Sequence, residues 1–167
     1  MNNIGVSRNN PGGGTMVQKA EDRLEREVWI NAKPEVVWTF LTQPEKMIRW
    51  MGVEAAAEAK PGGVYRVNIT GKAIAAGAFV QATAYRHLVY TWGWEGEEAL
   101  PPGKSRVEVT LEEDKGGTRL RVLHSGLPPD QVAGHGEGWD HYLERLSIAS
   151  AGGDAGPDSW CEVGCSS

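Results

Sequence analysis

Val36-Val37-Trp38-Thr39-Phe40-Leu41-Thr42-Gln43-Pro44-Glu45-Lys46-Met47-Ile48-Arg49-Trp50-Met51-Gly52 is the stretch that decides the fold. Val37, Trp38 and Leu41 recur at helical spacing, in a segment too short to stand alone. Pro34 and Glu35 fit a first helical turn, with Asn31 as candidate N-cap. Pro44 ends that helix near Thr42 and starts a second short turn carrying Met47, Ile48 and Trp50. Before this pair, Leu24, Arg26, Val28 and Ile30 share one side of a strand, and Glu25, Glu27 and Trp29 the other.

Strand patterns follow. Tyr65, Val67 and Ile69 alternate with Arg66, Asn68 and Thr70, after the turn signal Lys60-Pro61-Gly62-Gly63. A strand over residues 78–84 comes next. Leu88, Tyr90, Trp92 and Trp94 then alternate with Val89, Thr91 and Gly93. Val107, Val109 and Leu111 alternate with Glu108, Thr110 and Glu112. Lys115-Gly116-Gly117 marks a hairpin turn before Leu120, Val122 and His124. The last helix is read from Trp139, Tyr142, Leu143, Leu146 and Ile148 or Ala149, with Asp140, Glu144 and Arg145 opposite. A shorter turn over 129–133 precedes it, with Gly134, Gly136 and Gly138 loosening the connection. The order is strand, two short helices, five or six antiparallel strands and a long helix. That is an α+β fold in which a curved antiparallel sheet wraps the C-terminal helix.

Composition narrows the function. The chain has 167 residues and a net charge of −5, with no Lys/Arg cluster of the kind nucleic acid or an anionic membrane surface requires. No run approaches a membrane span, and no apolar leader opens the chain, so the expected location is the cytoplasm. Seven Trp accompany only two Phe, which favours walls for apolar or aromatic ligands as well as core. Residues 1–20 read as a disordered extension, with Met16 an alternative start to Met1, and residues 151–167 as a flexible tail. Cys161 and Cys165 lack the spacing of a redox or zinc motif and are expected as two exposed thiols.

Several pieces resemble the activator-of-Hsp90-ATPase-like (AHSA1-like) branch of the START-related, helix-grip superfamily. They are Ala32-Lys33-Pro34-Glu35-Val36-Val37-Trp38, Leu41-Thr42-Gln43-Pro44-Glu45, Trp50-Met51-Gly52, Pro61-Gly62-Gly63, Leu88-Val89-Tyr90-Thr91-Trp92, Gly117-Thr118-Arg119-Leu120, His124-Ser125-Gly126-Leu127 and Gly138-Trp139-Asp140-His141-Tyr142-Leu143. The resemblance implies one such domain over residues 21–150, with a cavity between sheet and helix. Members bind sterols, lipids, polyketides or plant hormones, assist chaperones, or cyclise aromatic products, so fold alone does not give function. Gln81, Ala84-Tyr85 and Met51 depart from the family pattern and would alter the edge or mouth of a pocket.

The expected activity is therefore binding of a small hydrophobic or aromatic ligand, with no cofactor. A cyclase- or dehydratase-type enzyme and a chaperone-contacting module are the alternatives. Exposed sheet edges suit a homodimer. The candidate ligand-binding residues are Trp50, Tyr65, Val67, Tyr90, Trp92, Trp94, Val109, Val122, His124, Trp139, Tyr142 and Leu143. His124 shares the inward parity of Leu120 and Val122; it and Tyr65 are the first choices to orient a ligand. The turn at Trp50-Met51-Gly52 and the loop 96–104 are candidate gates. His135, Glu137, Asp140 and His141 do not have the convergence that a metal needs. Arg66, Arg119 and Arg121 suit cross-strand ion pairs, with Glu108, Glu112 and Glu113 on a neighbouring strand.

Overall fold

A computed structural model describes residues 22–165 of the chain. The expectations for residues 1–20 and for the choice of Met1 or Met16 lie outside them. Strand β1 (Arg23–Ile30) leads to α1 (Pro34–Thr42) and the single turn α2 (Pro44–Met47). Strands β2 (Glu54–Ala57), β3 (Val64–Asn68), β4 (Ile74–Thr83), β5 (His87–Trp94), β6 (Ser105–Asp114) and β7 (Gly117–Ser125) follow. A 3-10 turn (Pro129–Gln131) runs into the 19-residue helix α3 (Val132–Ser150). All seven strands form one antiparallel sheet in the order β1-β7-β6-β5-β4-β3-β2. This is the helix-grip arrangement, with α3 packed against β1.

The alternations fix the faces. Tyr65, Val67 and Ile69 are buried together, as are Val107, Val109, Leu111, Leu120 and Val122. Trp50 is a rivet between the two short helices: its indole N–H donates to the Phe40 carbonyl at 2.7 Å, inside the core. The two-residue turn Lys115-Gly116, both at positive φ, closes the β6–β7 hairpin.

Three expectations need correcting, and one strand is added. The cap of α1 is Lys33 rather than Asn31, with Pro34 at the first helical position. The edge strand β2, Glu-Ala-Ala-Ala, has no apolar alternation to announce it. The long helix starts at Val132 and carries Gly134, Gly136 and Gly138 within it. A Cβ at Gly136 would meet the Arg26 guanidinium, which reaches from β1 to Asp140 at 2.7 Å, so bareness there lets strand and helix approach. The ion pairs also choose other partners. Arg66 pairs with Glu95, Arg119 with Asp114 and Glu27, Arg121 with Glu27, and Glu108 with His87.

The largest departure is the segment after α3. Residues 151–165, expected as a loose tail with two thiols, lie against the body, and Cys161 and Cys165 are joined in a disulfide. Arg145, on the helix side expected to face solvent, is half-buried. It donates to the carbonyls of Trp50, Ala155 and Gly156, binding the core turn and the returning chain at once. Asp158 then accepts from His141 Nε2 and from the Tyr142 hydroxyl, both at 2.7 Å. The Trp160 ring stacks on His141, with centroids 4.1 Å apart.

Candidate ligand-binding cleft

Between β5 and the first half of α3 lies an open cleft of about 390 Å³ with a predominantly apolar lining. Its walls include Trp92 and Trp94 from β5, Trp139 and Tyr142 from α3, and Trp160 from the returning chain. Met51, Ile69 and Thr70 form the opposite side, and Gln131 and Asp130 stand at the start of α3. Strand parity explains the first pair: Trp92 and Trp94 are two residues apart and project to the same face, with ring centroids 4.5 Å apart. Trp139 and Tyr142 are three apart on one helix face. Gly134 and Gly138 also line the cleft, leaving room where larger helix residues would fill it.

Two indoles are held by two histidines. An indole N–H only donates, so its partner nitrogen must accept. Trp94 Nε1 donates to His135 Nε2 at 3.0 Å, and His135 Nδ1 then donates to the Gln131 carbonyl at 2.8 Å. Trp139 Nε1 donates to His124 Nδ1 at 3.1 Å. His124 Nε2–H therefore donates to Ser105 Oγ at 2.8 Å, and the Ser105 hydroxyl passes its own proton to the Trp92 carbonyl at 2.7 Å. The two imidazoles are neutral and locked in opposite tautomers. Burial pulls the His124 pKa down to about 3, helped by the proximity of His135. Burial also lowers His135, with the Gln131 carbonyl opposing the shift.

Of the expected site residues, Trp92, Trp94, Trp139 and Tyr142 line the cleft. His124 is inward, as its parity requires, but it lies behind the wall and is fully buried. Tyr65 and Tyr90 stack on each other at 4.1 Å in the core, behind the lining residue Trp92, and burial raises the Tyr65 phenol to about 12. Trp50, Val67, Val109, Val122 and Leu143 are core residues outside the lining. Met51 reaches the cleft, whereas Gln81, Tyr85 and the loop 96–104 do not line it. That loop folds onto β5 instead, with Trp94 N–H donating to the Leu100 carbonyl at 2.7 Å.

His135, Ile69, Thr70 and Trp160 are lining residues outside the expected set, whereas Met51 belongs to the turn expected at the pocket edge. His135 stood in the sequence beside three other polar groups that disperse. His141 goes to Asp158, Asp140 goes to Arg26, and among the described residues no three His, Cys, Asp or Glu converge as metal ligands. Trp160 gave only a compositional signal, one more tryptophan in a glycine-rich end.

A curved antiparallel sheet, a long helix gripped by it and a tryptophan-walled cleft between them define a protein of the helix-grip class. The chain belongs to the activator of Hsp90 ATPase homolog 1-like family, whose model matches residues 31–150. An AHSA1-like protein of Rhizobium etli, solved in solution, is 48% identical, with 84% of this chain and 88% of that one covered at a TM-score of 0.67. A crystal structure from Mesorhizobium loti is 26% identical over 75% of this chain and 93% of that one, at 0.66. The Aha1 dimer of Colwellia psychrerythraea shares the fold at 17% identity and 0.69, covering 78% and 97%. No curated protein matches the chain. Among the described residues no helix is long and apolar enough to cross a membrane.

Proposed function

We propose that the protein reversibly binds a small, largely apolar or aromatic molecule in the cleft between β5 and α3. The observation that carries this reading is the wall itself: four indoles around about 390 Å³, within the usual size of ligand sites. Transfer of apolar surface onto those faces is worth ~25 cal/mol per Å², before ordering is subtracted. The N–H groups of Trp94 and Trp139 are already committed to histidines, so the deep wall offers an incoming polar group little. An uncharged ligand suits it, with any hydrogen-bond donor directed to Asp130 or Gln131, which also line the cleft.

Acid–base catalysis of the cyclase or dehydratase type finds less support. Both nitrogens of His124 and both of His135 are engaged, and their low basicity keeps them neutral. The cytoplasm is the proposed location, to be checked by cell fractionation. The sheet ends in the edges β1 and β2, which suit pairing with a second copy; light scattering would measure it.

Native mass spectrometry of the purified protein, followed by organic extraction, tests the ligand reading directly. A discrete apolar compound is expected. A second arm titrates the protein with N-phenyl-1-naphthylamine, expecting saturable fluorescence that Trp94→Ala weakens. A bare mass together with non-saturating fluorescence would refute the reading.

A further inference from the structure

The returning chain after α3 does more than end the fold. From Ala151 it runs back along α3, where Arg145 holds the Ala155 and Gly156 carbonyls. Asp158 is clasped by His141 and Tyr142, and its carboxylate also accepts from the Trp160 backbone N–H at 2.9 Å. Trp160 reaches the cleft from there. The chain then crosses to the other side of the cleft. The backbone N–H groups of Glu162 and Val163 both donate to the Thr70 carbonyl, at 2.6 and 2.9 Å. Thr70 itself lines the cleft, opposite Trp139 and Tyr142.

Residues 158–163 thus tie α3 to Thr70 on the sheet beside the cleft, with Trp160 the residue among them that lines it. Gly71 shows how close the crossing is. It adopts a φ of +93°, and a Cβ on it would overlap the backbone of Val163. The Cys161–Cys165 disulfide closes the chain into a small ring at this landing point. The family match ends at residue 150, so this device lies beyond the matched region.

We propose that residues 151–165 are a lid completing the ligand cleft, with Trp160 as its ligand-facing side chain and the Cys161–Cys165 disulfide as its latch. The lid rests on the ligand-binding reading above. The ring pre-shapes the chain so that two N–H groups meet one carbonyl; without it, ordering those residues must be supplied at each closure. Reduction by a dithiol opens the latch. A thiolate of the dithiol attacks one sulfur, and its second thiol resolves the mixed disulfide. Cys161 and Cys165 leave as two thiols, having gained two electrons and two protons, and the dithiol leaves as a disulfide. In a cytoplasmic protein such a bond would be of the transient, redox-responsive kind.

The test uses the full chain in three forms: oxidised, reduced with dithiothreitol, and the double variant Cys161→Ser/Cys165→Ser. Each is loaded with N-phenyl-1-naphthylamine, and affinity and release rate are measured by fluorescence. Release about tenfold faster from the reduced and Ser forms than from the oxidised one is expected, on the scale of the ordering entropy of a small ring. Trp160→Ala should weaken binding about tenfold in the oxidised protein, as loss of one stacking wall does. Circular dichroism checks that each form keeps its sheet and helix. Equal affinity and release in every form, Trp160→Ala included, would overturn the lid while leaving the cleft as a binding site. Failure of every form to bind would overturn the binding reading itself, and the lid with it.

Discussion

The indole of Trp139 donates to Nδ1 of His124 across 3.1 Å, so a cleft wall is held in place by a residue that never reaches the cleft. Behind His124 stand Ser105 and the Trp92 carbonyl, so one chain of hydrogen bonds runs from the helix wall to the strand wall. His124 holds the Trp139 indole directly and reaches the Trp92 backbone carbonyl through Ser105. Inward parity alone made it a first choice to orient a ligand; in the fold its ring nitrogens are taken by Trp139 and Ser105.

That chain gives the protein a pH dependence whose sign is fixed. The His124 pKa falls from its usual 6.5 to about 3 in the fold, so the unfolded chain takes up a proton at higher pH than the native one. Stability from this group is whole above about pH 6.5 and is lost as pH falls from there toward 3. At pH 5 the loss from His124 is about 2 kcal/mol, and His135 acts in the same direction. Urea unfolding at pH 7, 6 and 5 reads it. His124→Leu should reduce the slope with pH by about one proton while lowering stability at pH 7, because it strands the Trp139 N–H.

The partner arrangement at the cleft rim predicts a contrast. Trp94→Phe keeps an aromatic face but leaves His135 Nε2 without its donor. The His135 imidazole is then freer to protonate, and NMR titration of its ring carbons should show a pKa closer to the ordinary histidine value. Trp94→Ala should in addition reduce N-phenyl-1-naphthylamine affinity, by about tenfold, through the lost apolar contact. Unchanged affinity in both variants would place the probe elsewhere.

Much of the fold is legible because burial follows simple periods. Tyr65, Val67 and Ile69, or Leu120, Val122 and His124, need only alternation to be assigned a face. Site assignment is harder, since alternation cannot tell how deep a residue sits. Tyr90 and Trp92 share a parity on β5, yet Tyr90 meets Tyr65 in the core and Trp92 meets the cleft. The separation depends on where α3 and the returning chain lie over the sheet. The lid was illegible for a related reason. Asp158, Trp160 and Val163 follow glycines with no period, and each is ordered by a partner more than fifteen residues away, His141 or Thr70.

Arg145 links the core turn at Trp50 to the lid, so its loss should be felt at both ends. Arg145→Ala removes the donor to four backbone carbonyls and should lower stability by about 1–3 kcal/mol. Limited proteolysis should move toward the 151–158 segment before global unfolding. Arg145→Lys, with a point charge in place of the guanidinium fork, should recover only part of the loss, since one ammonium does not span the Trp50 and Gly156 carbonyls as the fork does.

Tyr142 sits where cleft and lid meet, lining one and donating its hydroxyl to Asp158 in the other. Burial on its own would raise the Asp158 pKa, but the Trp160 N–H, His141 and Tyr142 outweigh it and hold the carboxyl below its usual value. Such a carboxylate adds stability above the unfolded pKa, and that contribution is lost as pH falls through the folded one. Tyr142→Phe removes one donor and keeps the ring on the cleft wall. The Asp158 pKa should therefore rise toward the ordinary carboxylate value, measurable by NMR of its side-chain carbon. Stability at pH 7 should fall by about 1.5–3 kcal/mol, the range for a hydrogen bond to a charged group. Because the lid is clasped through this carboxylate, release of N-phenyl-1-naphthylamine should quicken in Tyr142→Phe with the disulfide intact. An unchanged release rate alongside a shifted Asp158 pKa would mean that the clasp serves stability alone.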